Sequence, residues 1–165
     1  MLKIKKFMIS FALLFFVPYI LLIYGFIPTA GIDLLLAKTL YSLILPLNNI
    51  YLHSDKLLSD SISFSIVPDC SGFVMIFMFF ALIFSSKGTF KNKFLSLLIF
   101  SPLLFVFNIF RLFLTLLVAF NFGKLAFDVV HISLWFFDSA VVISAWLLSL
   151  EFIFKKKLVG VIQSH

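Results

Sequence analysis

Charge is what this chain has least of. Only 12% of its 165 residues are charged, against about 25% in soluble domains. That scarcity excludes an ordinary soluble globular protein. There is one cysteine, Cys70, which excludes an internal disulfide framework and a cysteine-rich metal site, so no metal and no cofactor are expected. There is also one arginine, Arg111. The formal net charge of +6 comes from lysines gathered at the ends of apolar runs. Membrane topology explains such lysines, so they do not read as affinity for nucleic acid. What fills the chain instead is apolar: 63% hydrophobic residues, including 25 phenylalanines. Several runs approach the roughly 20 residues needed to cross a ~30 Å hydrocarbon core. The expected class is an all-α polytopic membrane protein forming a single membrane domain over residues 1–165.

Taken in order, Lys3, Lys5 and Lys6 precede an apolar run that predicts a first transmembrane helix over 7–27. The run is too long for a signal-peptide core, and Pro28-Thr29-Ala30 makes a poor cleavage site. Residues 33–47 are apolar but short, with Lys38, Thr39 and Ser42 on one side; this predicts a helix lying in the outer interface. Residues 50–67 predict a small surface β-hairpin. Its arms are 50–53 and 61–67, where Ile62, Phe64 and Ile66 alternate with Ser61, Ser63 and Ser65. Ser54-Asp55-Lys56 and Ser59-Asp60 supply turn chemistry between the arms. Further transmembrane helices are predicted over 71–86, 94–120 and 132–154. Asn121-Phe122-Gly123-Lys124 would end the third, and His131 would lie ahead of the fourth.

Four crossings place the lysine clusters at 3–6, 87–93 and 155–157 on one side, leaving Lys38, Lys56 and Lys124 on the other. The positive-inside rule makes the cluster side cytoplasmic, with both termini inside. A crossing at 33–47 would push two of the clusters outside, against that rule.

Depth then singles out three residues. Cys70 lies 17 positions before Lys87 and Arg111 lies 17 after Phe94. On antiparallel helices each sits about 25 Å above the cytoplasmic boundary at 1.5 Å per residue. His131 enters from the outer side, one or two turns higher. Each residue has a plain structural reading. A lone thiol is often a small buried hydrophobe, and His131 alone could be interfacial. Arg111 could form an ion pair with Asp69, Asp128 or Asp138, with Asn108 one turn earlier helping to hold it. The remaining histidines, His53 and His165, read as solvent-facing. An intramembrane arginine, however, marks a functional site by default.

Together the three have a chemical logic. The thiolate is the nucleophile, an imidazole can take its proton, and a cation stabilises it. The helix start at Ser71-Gly72 adds a positive dipole end, and Gly72 leaves room for a substrate backbone. Arg111 could bind the oxyanion of a tetrahedral intermediate or hold a carbonyl.

At these residues the chain resembles the exosortase/archaeosortase family of membrane cysteine transpeptidases. Cys70-Ser71-Gly72 is similar to the family's Cys-Ser/Thr-Gly signature, and Asn108-Ile109-Phe110-Arg111 to its Asn-x-x-Arg motif. His131 matches the later histidine ahead of the last helix. The resemblance covers about residues 50–146, and the extra helices of longer relatives are not expected here. It implies that Cys70 attacks a peptide bond in a C-terminal sorting signal, that Arg111 positions the carbonyl and that His131 serves as acid and base. It implies as partners exported membrane-tethered proteins ending in a short motif, a transmembrane helix and a basic tail. The implied location is the prokaryotic cell (inner) membrane, with the site facing outside. Two other readings stand beside it: a non-catalytic membrane assembly factor, and a thiol acyltransferase with a lipid donor. The orientation has a direct test. An impermeant thiol reagent added outside is expected to modify Cys70; modification only after permeabilisation would reverse the topology.

Overall fold

The computed structural model describes residues 2–54, 56–58 and 63–162, with side chains from residue 4 to residue 151 apart from that of Asp69. Helix α1 (Leu2–Ile23) stops four residues short of the expected end. The reason is Gly25, at φ +74°. The Phe26 N–H donates to Leu21 O (2.9 Å) and the Gly25 N–H to Leu22 O (3.1 Å). This doubly bonded ending requires a left-handed residue, which glycine adopts most easily. Helix α2 (Ala30–Ile44) starts three residues before the expected boundary. It is begun by Thr29, whose carbonyl accepts from Ile32 and Asp33. Asp33, Leu36, Ala37, Leu40 and Ile44 are its buried residues, one face at helical spacing.

The expected hairpin is a three-stranded antiparallel sheet in sequence order: β1 (Tyr51–His53), β2 (Lys56–Leu58) and β3 (Ser63–Ser65). Lys56, read as part of a turn, begins the middle strand instead. Leu57 is the reason: it is fully buried, and its removal from water outweighs the turn preference of its polar neighbours. Leu57 pairs with Leu52 on one side and Phe64 on the other. His53 is exposed, as are Ser63 and Ser65, while Ile66 is buried. Asp55, Ser59, Asp60, Ser61, Ile62 and His165 lie outside the described residues.

A 3-10 turn (Pro68–Cys70) leads into α3 (Phe73–Ser85). At 13 residues, α3 is shorter than the expected 71–86 and, at roughly 20 Å, shorter than a hydrocarbon core. The helical stretch Phe90–Ile162 is two helices joined at Gly123, where φ is 81° and ψ −174°. We label them α4 (90–122) and α5 (124–162). They fold back on each other: Phe120 and Phe127 both pack on Phe64, Arg111 pairs with Asp138, and Leu104 shares a core with Val142. All three pairings bracket Gly123. His131 therefore lies inside α5, not in a loop ahead of the expected helix 132–154. Residues 124–131 contain neither glycine nor proline to stop a helix.

Two apolar cores result. One joins α3 (Met75, Phe79, Leu82, Ile83) to Leu104 of α4 and Val142 and Ala145 of α5. The other joins α2 (Leu36, Leu40, Ile44) and Leu57 to Leu112 and Leu116 of α4. At the opposite end of α3, the Lys93 ammonium donates to Phe84 O (3.0 Å), and Trp146 Nε1 donates to Ser86 Oγ (2.9 Å). Residues Ile4–Ile23 and the α4–α5 segment are long and apolar enough to cross a membrane. Large apolar side chains such as Met8, Leu13, Phe16 and Val17 lie bare along α1. Water does not tolerate so much contiguous apolar surface; a bilayer does.

Gly123 and Gly31 make a matched test, because an added Cβ meets nothing within 4 Å at either. At Gly123 the backbone angles are essentially reserved for glycine, so Gly123→Ala is expected to destabilise by about 1–3 kcal/mol. Gly31, inside α2, should tolerate alanine or gain up to about 1 kcal/mol. Unfolding midpoints in mixed detergent check both.

Candidate active site

Local chemistry builds the site from the 3-10 turn outward. The Cys70 N–H donates to Val67 O (2.8 Å) and the Ser71 N–H to Pro68 O (3.1 Å). The Ser71 hydroxyl also donates to Pro68 O and accepts weakly from the Phe73 N–H (3.5 Å). Ser71 is buried, so its hydroxyl closes the turn that carries the thiol. Gly72 then caps α3 with φ +86°.

Gly72 has a task that its sequence context did not reveal. A Cβ there would lie 3.1 Å from Asn108 Nδ2. Gly72 lets the Asn108 side chain of α4 approach that closely, and Gly72 also lines the larger of two cavities at this site. At this approach Asn108 Nδ2 donates to the Cys70 carbonyl (2.9 Å). Asn108 is fully buried. It ties the turn bearing Cys70 to α4 one helical turn before Arg111.

Arg111 is also buried, at 3% exposure. Its Nη1 donates to Asp138 Oδ2 of α5 in a buried ion pair. Among the described side chains, Asp138 is the acid that pairs with Arg111; the Asp69 side chain lies outside them. The signal was present, since Asp138 lies seven residues, two helical turns, after His131 and thus on the same face of α5. Thr115, a turn after Arg111, donates its hydroxyl to the Arg111 carbonyl (2.8 Å).

These groups surround two cavities at the junction between the two apolar cores. Cys70 and His131 line a small cavity of about 40 Å³ with Leu40, Leu57, Phe64, Leu112 and Thr115. The His131 ring stacks on Phe127, four residues earlier, with centroids 5.2 Å apart. Its Nδ1 is buried without a hydrogen-bond partner. Arg111, Asn108, Gly72 and Asp138 line a second cavity of about 270 Å³, walled by Tyr19, Met75, Met78 and Trp135. Arg111 is close enough to His131 to act on it electrostatically, as is Asp128. The structure thus puts Cys70 and His131 on one cavity and Arg111 on the neighbouring one, with Asn108 between the turn and the guanidinium. Sequence reasoning did not single out Tyr19, Thr115 or Trp135. Among the described residues no three His, Cys, Asp or Glu side chains group as a metal site requires.

A half-buried thiol sharing a small cavity with an imidazole, beside a buried arginine in an apolar helical bundle, defines a thiol-bearing membrane protein with a polar seam. The comparison with known families is specific: a family model described as transmembrane exosortase matches residues 4–150. The chain belongs to the transmembrane exosortase family. No curated protein and no solved structure gives a significant match.

The ion pair can be tested for its structural weight. Asp138→Ala strands the buried guanidinium and is expected to cost about 3–5 kcal/mol. Replacing both partners, as in Arg111→Met with Asp138→Leu, should restore most of that stability. Detergent-unfolding free energies of Arg111→Met, Asp138→Leu and the double variant measure the coupling.

Proposed function

We propose that this chain is a membrane-embedded cysteine transpeptidase that cleaves the C-terminal sorting signal of exported proteins. The observation that carries this reading is the small cavity lined by both Cys70 and His131, with the cavity lined by Arg111 beside it. Membership of the exosortase family supports a membrane transpeptidase role in general. We further infer four crossings with both termini in the cytoplasm, which puts the thiol near the outer face. The lysine distribution supports that orientation.

In the proposed reaction His131 accepts the thiol proton, and the Cys70 sulfur attacks the carbonyl carbon of the scissile peptide bond. Arg111 steadies the negative oxygen. The tetrahedral intermediate collapses by breaking the C–N bond, and His131 returns the proton to the leaving amine. This leaves a thioester on Cys70. An acceptor amine or water then attacks the thioester carbonyl and gives up a proton to His131, which passes it to the departing thiolate. The apolar walls of the small cavity, Leu40, Leu57 and Leu112, limit water around the thiol and strengthen each electrostatic term.

A non-catalytic assembly factor would also have use for a buried Arg111–Asp138 pair. It has no evident use for an imidazole whose Nδ1 is kept unpartnered on the cavity that Cys70 also lines. The deciding experiment uses an exported reporter carrying a C-terminal motif, a transmembrane helix and a basic tail from the same organism. Cys70→Ala is expected to abolish processing at unchanged protein level, and His131→Ala to reduce it by at least about 100-fold. Normal processing by Cys70→Ala eliminates the nucleophile.

A further inference from the structure

Around the larger cavity, four buried polar atoms have no hydrogen-bond partner: Asn108 Oδ1, Arg111 Nε and Nη2, and Asp138 Oδ1. All belong to residues lining that one space, and the three residues are 0%, 3% and 8% exposed. Buried polar groups are normally satisfied, and leaving one unmade is costly. The set is balanced, with two donors on Arg111 and two acceptors on Asn108 and Asp138. Whatever completes it must bring both an acceptor and a donor.

Charge narrows the choice further. The Arg111 guanidinium is already neutralised by Asp138. A carboxylate or phosphate entering here would meet the Asp138 anion, and an ammonium would meet Arg111. A neutral amide meets neither penalty: its carbonyl accepts and its N–H donates. The rest of the lining suits the side chain beside such an amide, since Tyr19 from α1 and Trp135 from α5 present aromatic surface. The position is also informative. Asn108 uses Nδ2 on the Cys70 carbonyl and keeps Oδ1 unpartnered, so one side chain belongs both to the thiol's turn and to this cavity.

We propose that the Arg111–Asp138 cavity is a recognition subsite for a neutral amide of the substrate, a backbone peptide group or an Asn or Gln carboxamide, and that Asp138 sets its preference for amide over acid. Arg111 donates to the amide carbonyl, and Asp138 and Asn108 accept its N–H. Asp138 acts here as a specificity-determining residue, separate from its stabilising of the bundle. The proposal rests on the peptide-substrate reading of the site and goes further, by naming the chemistry that the second cavity selects.

The test measures binding of small probes to the full chain in detergent, carrying Cys70→Ala so that no chemistry intervenes. The probes are 3-phenylpropanamide, its N-methylamide and 3-phenylpropanoate as the carboxylate, followed by fluorescence of the cavity's Trp135 with Trp146→Phe as background. Both amides are expected to bind at least tenfold tighter than the carboxylate. The tighter of the two distinguishes a side-chain carboxamide from a backbone amide. Asp138→Asn should abolish the preference and admit the carboxylate to the uncompensated Arg111, whereas Asp138→Glu should keep the amide preference. Equal binding of acid and amide, no binding of either amide, or a preference surviving Asp138→Asn overturns the proposal. If Asp138→Asn does not fold, the amide-to-acid ratio of the Asp138 protein decides alone. Amide selectivity without peptide processing by the Cys70 protein would sink the transpeptidase and leave the subsite standing. Processing without amide selectivity would sink the subsite only.

Discussion

A guanidinium inside an apolar helical bundle must find its counter-charge, and much of this structure follows from that requirement. Arg111 reaches Asp138 only if α4 and α5 run antiparallel with those two positions opposed. That condition sets the register of the helical hairpin turning at Gly123. The stabilising effect is asymmetric. The intact pair need not be worth much, because desolvating two charges offsets most of their attraction, but losing one partner leaves a buried charge exposed to a low-dielectric surround. The register is thereby enforced more by what misalignment would cost than by what the pair contributes.

The same pair sits where the two apolar cores meet. Leu104 belongs to one core and Leu112 to the other, and between them on α4 lie Asn108 and Arg111. Polar side chains at a seam interrupt packing, and the two cavities occur there. Helix α2 and the small sheet wall the small one, through Leu40, Leu57 and Phe64. The short sheet thereby supplies apolar lining to the cavity that Cys70 shares.

The proposed division of labour rests on what lines each cavity. The thiol and the imidazole line the small one, and residues with unpartnered donors and acceptors around an ion pair line the larger one. Asn108 joins them, because its amide nitrogen holds the Cys70 carbonyl while the residue also lines the larger cavity. Membership of the transmembrane exosortase family and this arrangement are independent observations that favour peptide transfer.

Much of this was legible in one dimension. Composition and apolar run length are additive properties, so the membrane class follows from counting. Cys70-Ser71-Gly72, Asn108 with Arg111, and His131 stand out because polar groups are rare in such a chain, and because helix rise converts sequence spacing into depth. The three-dimensional outcomes were not legible. Lys56 starts a strand because the burial of Leu57 overrides local turn chemistry. Residues 124–131 continue as helix because Phe127 finds Phe64, a contact more than 60 residues away in sequence. Gly72 serves Asn108, a side chain on another helix. Above all, three acids could have neutralised Arg111. Which of them did is a question of register between helices, and register is settled only when every apolar face is buried at once.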